Sequence, residues 1–419
     1  MNKIFTLFAF TIVCISIHAE AILDTTSMES LYSKQVFYSL DNGTIATVSN
    51  EDWHIAFATA GTGAAGSAIL LNEATAILYA CPFDTSAWNT FDTSGYKNWS
   101  RLLNSDTTWT NGAFNAYRGA ASTFDMGWGI LNPANNFWTF GDSLYLIQIN
   151  SEFKKLWVVS LKSGVWEFRY ANIDGSDLHT ISFAKSTYPN RNFVYYSFID
   201  HALMDREPDN SSWDITFQKH TDYVIPPGTY VSVSSVFANK KIWSAKSNLS
   251  DSITAMTATH PQTSFTQNIS NIGREWKKFS SSTGWIVYDT IAYFLYNYDS
   301  TSFYRIVFTG FDGLTNGKTT FYKEKIVASS IRNDSNIMTA ALYPNPAQNI
   351  LHLLLHNVIN LNSTYQILDM SGKLISSKPI SLPAGVNDLE VDISDFPKGN
   401  YMIFLPTEMG IITQKFVKM

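Results

Sequence analysis

Hydrophobic and polar positions alternate with period two along most of the chain. In SSWDITF, Ser211 to Phe217, the residues Trp213, Ile215 and Phe217 fall on one face and Asp214 and Thr216 on the other. Successive side chains of a strand point to opposite sides of its sheet, so the pattern predicts a half-buried β-strand. EDWHIAF, Glu51 to Phe57, repeats the phrase earlier, with Trp53, Ile55 and Phe57 predicted inward. The surroundings repeat as well. VFYSL (Val36 to Leu40) precedes the first copy and VYYSF (Val194 to Phe198) the second. Downstream, YLIQINSEFKKLWVVSLKSG from Tyr145 matches YFLYNYDSTSFYRIVFTGFDG from Tyr293, with Lys155 and Arg305 before the second aliphatic run of each. Gly127-Trp128-Gly129 is echoed by Gly284-Trp285. Matched elements in one order predict a duplication, with related β-rich modules at 30–187 and 188–328. An apolar period of 3.6 is almost nowhere seen, so the expected fold class is all-β.

The style changes at Ala341. Short strand patterns joined by Ser371-Gly372 and Lys398-Gly399-Asn400 turns predict a small β-sandwich over 341–419, after a linker at 329–340 that contains IRNDSN. At the other end, Lys3, the apolar run Ile4 to Ile17 and the small residues Ala19 and Ala21 read as a cleaved secretory signal peptide, residues 1–21. Cys14 does not make a lipoprotein signal, because Val13 before it is not small. Beyond the leader stands one cysteine, Cys81, so the exported chain is expected to rest on its core without an intrachain disulfide. Its 419 residues, 45% hydrophobic, suffice for two or three domains. No later apolar run has membrane-spanning length.

The net charge of −6 argues against nucleic acid as partner, since phosphate binding needs a basic face. No polybasic segment marks an anionic membrane surface. The 12 Trp, 21 Tyr and 28 Phe are the unusual feature of the composition; most should fill sandwich cores, and exposed ones can stack on sugars or flat cofactors.

The last segment carries Tyr343-Pro344-Asn345-Pro346, then Asp369-x-x-Gly372, Gly399-x-Tyr401, and the closing Lys415-Phe416-Val417-Lys418. Four motifs in this order resemble the C-terminal sorting domain of the type IX secretion system of Bacteroidetes. The resemblance implies passage to the periplasm, export by that machinery, and a cargo secreted or held at the outer cell surface. A second resemblance rests on Trp213-Asp214-Ile215-Thr216-Phe217, Tyr223 and FTGFDGLTNGKTTF (Phe308 to Phe321). These are similar to the HmuY-like family of secreted haem-binding proteins, over 190–327 and more faintly over 35–185. Position 54 departs from it, with His where Asp is expected.

That resemblance implies haem as a cofactor, held by axial His or Met facing across an apolar slot. The matching interval offers His220, Met256 and His260 in the second module and Met126 in the first. Each has an ordinary reading as a packing or surface residue. DREPD (Asp205 to Asp209) reads as a solvated turn with an internal Arg206 ion pair, because no EF-hand spacing follows it. NIDGSD and GFDGLTNG are turn chemistry, and Cys81 is expected to pack. No nucleophile elbow, His-Glu-x-x-His or Cys-x-x-Cys occurs, so an enzyme is not expected. Two functions remain: a haem carrier, or a structural or adhesive β-protein binding glycans or other surface partners without haem.

Overall fold

A computed structural model describes residues 21–224, 226, 228–259, 261–297, 303–326, 338–357, 360–370, 373–383, 385–407 and 410–419. Apart from Ala21, the leader lies outside them, as do His260, Gly372 and most of the expected linker.

The fold is all-β. Counting the principal strands of the first two bodies, β1 (Ile22–Ser27), β2 (Lys34–Ser39), β3 (Gly43–Ser49), β4 (Ile55–Ala58), β5 (Ile69–Leu71), β6 (Ala76–Asp84), β7 (Ser143–Ile149), β8 (Glu152–Lys162) and β9 (Val165–Asn172) form one series. The second series is β10 (His179–Ala184), β11 (Phe193–Ser197), β12 (Ala202–Met204), β13 (Ile215–Val224), β14 (Thr229–Ala238), β15 (Ile242–Asn248), β16 (Ile291–Asn297), β17 (Phe303–Phe311) and β18 (Lys318–Ile326).

The sheets are built across the two series. One sandwich packs β12-β11-β4-β5 against β10-β9-β8-β7-β6, and the other packs β3-β2-β13-β14 against β1-β18-β17-β16-β15. Strand for strand, the two orders are the same once nine is added to or subtracted from each label. The copies are therefore out of phase with the bodies. Each core draws strands from both sides of the expected 187/188 boundary: Ile55 to Phe183 with Val194, Tyr196 and Phe198 in one, Met28 to Leu40 with Ile215 to Phe321 in the other. The first sandwich is continuous in sequence, whereas the second is completed by β1–β3 from ahead of the first Trp phrase.

The two phrases explain this pairing locally. Ile55 and Phe57 enter the first core, and Ile215 and Phe217 the second. Trp53 and Trp213 do not share their face, contrary to the alternation. Each precedes its strand and turns outward, Trp53 onto Tyr195 (centroids 4.8 Å) and Trp213 onto Phe37 (5.0 Å). The strands are also buried on both sides: Ala56, Ala58 and Thr216, on the face away from the core, are buried too, Ala56 and Ala58 in a cluster with Trp53, Leu70, Phe193 and Tyr195.

What bends the chain outward at the Trp is a repeated hydrogen-bond knot. The side-chain amide of Asn72 donates to the carbonyls of Asn50 and Trp53, both at 2.8 Å, and Asn239 donates likewise to Asn210 and Trp213, both at 2.8 Å. The next residue receives the backbone of the partner strand. Asp214 Oδ2 accepts the Leu40 N–H at 2.7 Å, and His54 Nδ1 accepts the Phe198 N–H at 3.1 Å. His54 thus does at its site what Asp214 does at the other. Burial depresses the His54 imidazole to about 4, an effect the Asp200 charge only partly offsets, so the ring is a neutral acceptor.

Residues 338–419 form the third body. Strands β19 (Met338–Tyr343), β20 (Ile350–Asn357), β21 (Leu361–Asp369), β22 (Leu374–Leu382), β23 (Gly385–Asp392), β24 (Gly399–Thr407) and β25 (Gly410–Lys418) make two sheets, β19-β20-β23 and β22-β21-β24-β25. Leu351, Leu353, Tyr365, Ile367, Tyr401, Ile403 and Phe416 fill the space between them.

The knot predicts a distinction between two variants. His54→Ala removes the buried acceptor of the Phe198 N–H and should cost about 1–3 kcal/mol, whereas His54→Asn, which keeps an acceptor there, should cost less than half of that. Urea unfolding at pH 7 measures both. Because the folded pKa lies below the unfolded value of 6.5, the unfolded chain takes the proton first, and the wild-type contribution should fade as pH drops from 6.5 to about 4.

Candidate functional site

The outer faces of β2, β13 and β14 in one sandwich and β4, β5 and β11 in the other enclose the junction between them. Its space, about 50 Å³, is lined among others by Phe37, Trp53, Leu70, Phe193, Trp213 and Phe237. Trp109 spans it, with its ring 6.1 Å from Phe193 and 5.9 Å from Phe237, while its indole N–H donates to Ala238 O at 2.7 Å. Asn192 Nδ2 donates to Asn239 Oδ1 at 3.0 Å, tying the knot residue of one sandwich to the other.

The DREPD segment enters this junction, so most of it is not the solvated turn expected. Arg191 holds Asp205 at 2.7 Å near the surface, but Arg206 turns inward. Its guanidinium donates to Gln35 Oε1 at 2.8 Å and to Ser49 O, and lies 4.8 Å from the Tyr195 ring centroid. The arginine therefore ties the chain-initial strands to β11. Glu207 is buried, accepting the N–H groups of Asn192 (3.2 Å) and Phe193 (2.9 Å). Burial pushes its carboxyl up, against the pull of the Lys240 charge. Charged residues between polar neighbours gave no apolar pattern to read, and this is why the alternation missed them.

The haem candidates fall in separate places. His220, on β13, is buried and held at both nitrogens, 3.4 Å from Glu73 Oε2 and 3.0 Å from Asp222 Oδ1. Burial alone would lower its pKa, but the hydrogen bonds to Asp222 and Glu73 outweigh that and raise it to about 9. The imidazolium has no lone pair to offer iron. Met126 is buried in the first core with its sulfur 3.3 Å from Ser67 Oγ. Met256 lies on the short helix Ser252–Thr257, against the Ala255, Phe294 and Val307 cluster of the second sandwich. His260 lies outside the described residues. The three described candidates do not face one another across a slot, and the junction is far below the roughly 300–1,000 Å³ of small-molecule pockets. These residues do not fit a haem. Cys81 packs with Leu144 and Leu146, and burial raises its thiol pKa.

A different surface lies at the outer end of the β13–β14 hairpin. Tyr223 and Tyr230 are cross-strand partners, 52% and 41% exposed, with ring centroids 4.9 Å apart. The Arg101 guanidinium covers the Tyr230 ring at 4.0 Å. Tyr223 stood in the sequence pattern, whereas Arg101 arrives from the other sandwich and had no local signal.

In the third body Asn345 and Tyr401 of the expected motifs meet the last strand, while Tyr343 and Asp369 find partners elsewhere. Asn345 is laced to it twice: its Nδ2 donates to Lys415 O at 3.0 Å, and its Oδ1 accepts the Val417 N–H at 2.9 Å. Tyr343, just before Pro344, donates to Asp388 at 2.8 Å and stacks on His352. Pro346 leads into Ala347, whose N–H donates to Val417 O. Asp369 Oδ1 accepts the Lys373 N–H at 3.0 Å across the β21–β22 turn. Gly399 opens β24, and Tyr401 lies 5.4 Å from Phe416, which is fully buried while Lys415 is exposed. Gly372 lies outside the described residues.

Residues 341–419 match the family model of the secretion system C-terminal sorting domain. The tail is the type IX sorting signal that its motifs resembled, and the protein is a secreted or outer-surface cargo of that system. Among solved structures the chain is similar to the crystal structure of dimeric latent PorU from Porphyromonas gingivalis, at 10% identity and a TM-score of 0.18. That alignment covers 63% of this chain and 31% of the other, so the chain spans about a third of that protein's length. No curated protein matches. Among the described residues no helix is long and apolar enough to cross a membrane.

The His220 geometry has a pH signature. Its folded pKa is above the unfolded value of 6.5, so its contribution to stability should be complete below about 6.5 and lost as pH rises through about 9. In the NMR titration the His220 ring should have its midpoint near 9, and Glu73→Gln should move that midpoint down. A midpoint at or below 6.5 would contradict the two-carboxylate clasp.

Proposed function

We propose that the exported protein is a surface binding protein rather than an enzyme, and that it takes a carbohydrate on the Tyr223–Tyr230–Arg101 platform without haem. The observation that carries this reading is the pair of exposed tyrosines on adjacent strands, one of them backed by a guanidinium. Two rings fixed on a sheet lose little side-chain freedom on binding, and their faces suit the C–H faces of a pyranose. The phenol hydroxyls and Arg101 offer hydrogen bonds at the rim. The twin sandwich supplies a rigid support, and the sorting tail delivers it to where glycans are met.

The haem alternative inherits support from the HmuY-like phrases alone, since the described axial candidates are engaged elsewhere. A glycan array probed with the protein freed of its leader should give a defined set of ligands. Tyr223→Ala with Tyr230→Ala should weaken their binding at least about tenfold, in line with the loss of two stacking contacts. Binding unchanged in the double variant, or no glycan bound, overturns the proposal. A saturable Soret shift on adding haemin to the same protein would favour the haem carrier instead.

A further inference from the structure

Asp177, His179 and His201 come together at an edge of the first sandwich, away from both the junction and the tyrosine platform. One potential ligand atom from each lies within 4.8 Å of the others. The two imidazoles are stacked nearly parallel, 4.2 Å between centroids. His179 Nε2 is 2.8 Å from Asp177 Oδ1, and Lys154 Nζ holds the other carboxylate oxygen at 2.8 Å. Those two hydrogen bonds keep the Asp177 carboxyl low, at about 2, so it is ionised throughout the physiological range. Behind the pair, Tyr170 Oη lies 2.6 Å from His201 Nδ1 and 2.9 Å from Tyr196 Oη.

We propose that these three side chains form a binding site for a divalent transition-metal ion of the zinc or copper type. Two imidazoles and one carboxylate are the donor set such ions prefer, at bonds of about 2.0–2.2 Å. Tetrahedral coordination would space the ligand atoms by roughly 3.3 Å, which follows from that bond length. The present separations reach this by side-chain rotation of partly exposed groups. Tyr170 supplies the support a ligating histidine needs: accepting from His201 Nδ1–H while donating to Tyr196, it frees Nε2 as the metal donor. Three ligands leave a fourth position open to water or an external group.

The placement is particular to this sandwich and is not a by-product of the fold. The paired registers of β7–β10 and of β16–β18 with β1 put Lys323 where the first sandwich has Tyr170, and Ile22 where it has His179. Counted from the serine that opens each equivalent turn, Ser39 or Ser197, the fourth residue is Gly43 in one and His201 in the other, both with positive φ (+81° and +53°). Asp177 has φ of +53° as well. A left-handed backbone suits glycine and is strained for histidine, so His201 is kept at the expense of local stability.

The test uses the full chain freed of its leader, titrated with Zn²⁺ by calorimetry and with Cu²⁺ by electron paramagnetic resonance. One equivalent should bind saturably, with a copper signal showing coupling to two nitrogens. His201→Gly should weaken binding at least about tenfold while leaving the melting temperature unchanged or raised, because it relieves the backbone. His179→Ala should weaken binding similarly. No saturable uptake by the wild type, or uptake undiminished in the His179→Ala/His201→Gly double variant, overturns the site.

Discussion

The structure depends on a short ladder between distant segments, Val36–Tyr38 against Ile215–Phe217. With it, strands from the start of the chain complete the sandwich that the chain finishes building at β18. Without it, β13–β18 would expose one face of their core, and Tyr38, Val36 and Leu40 would lack a partner. The matching ladder in the other sandwich, Phe193–Tyr196 against Ile55–Ala58, is made within a contiguous stretch. One body can therefore close on its own strands while the other waits for contacts made across some 180 residues. Such long-range pairing carries a loop-closure cost before it gains any burial. The aromatic core repays it, since no disulfide joins the described segments: Cys81 is free.

The out-of-phase arrangement also makes the junction. Because each sandwich borrows from the other copy, the connecting segments around residues 50 and 210 cross between them, and the knots of Asn72 and Asn239 lie at the crossings. Arg206, Glu207 and Glu73 follow the chain into the seam and find partners there. Buried charges of this sort stabilise little by themselves, yet leaving any one unpaired is costly, so they fix the relative placement of the bodies. His220 belongs to this lattice, its ring clasped by carboxylates from both sandwiches. The seam is filled by these contacts, whereas Tyr223 and Tyr230 lie exposed at a hairpin end and the Asp177–His179–His201 group is gathered from separate strands and turns of the first sandwich.

The third body serves a separate purpose with the same physics. Its first and last motifs are joined by one asparagine side chain, Asn345, bonded to the last strand, and Tyr401 meets Phe416 on that strand. Asn345 thus helps close the domain by tying its first strands to its last.

The sequence alone determined the all-β class, the core-facing roles of Ile55, Phe57, Ile215 and Phe217, and the sorting tail. Each follows from information carried within a few residues: side-chain alternation, or a motif at fixed spacing. The tertiary structure decided which strand pairs with which, because strand edges offer the same N–H and C=O groups and only the assembled cores choose between them. It decided that Trp53 and Trp213 turn outward, since the asparagines that bend the chain there come from later strands. It turned the odd His54 into the counterpart of Asp214 by supplying the Phe198 N–H. It also separated His220, Met126 and Met256 while joining His179 to His201, because a donor set is a property of neighbouring strands and not of neighbouring residues.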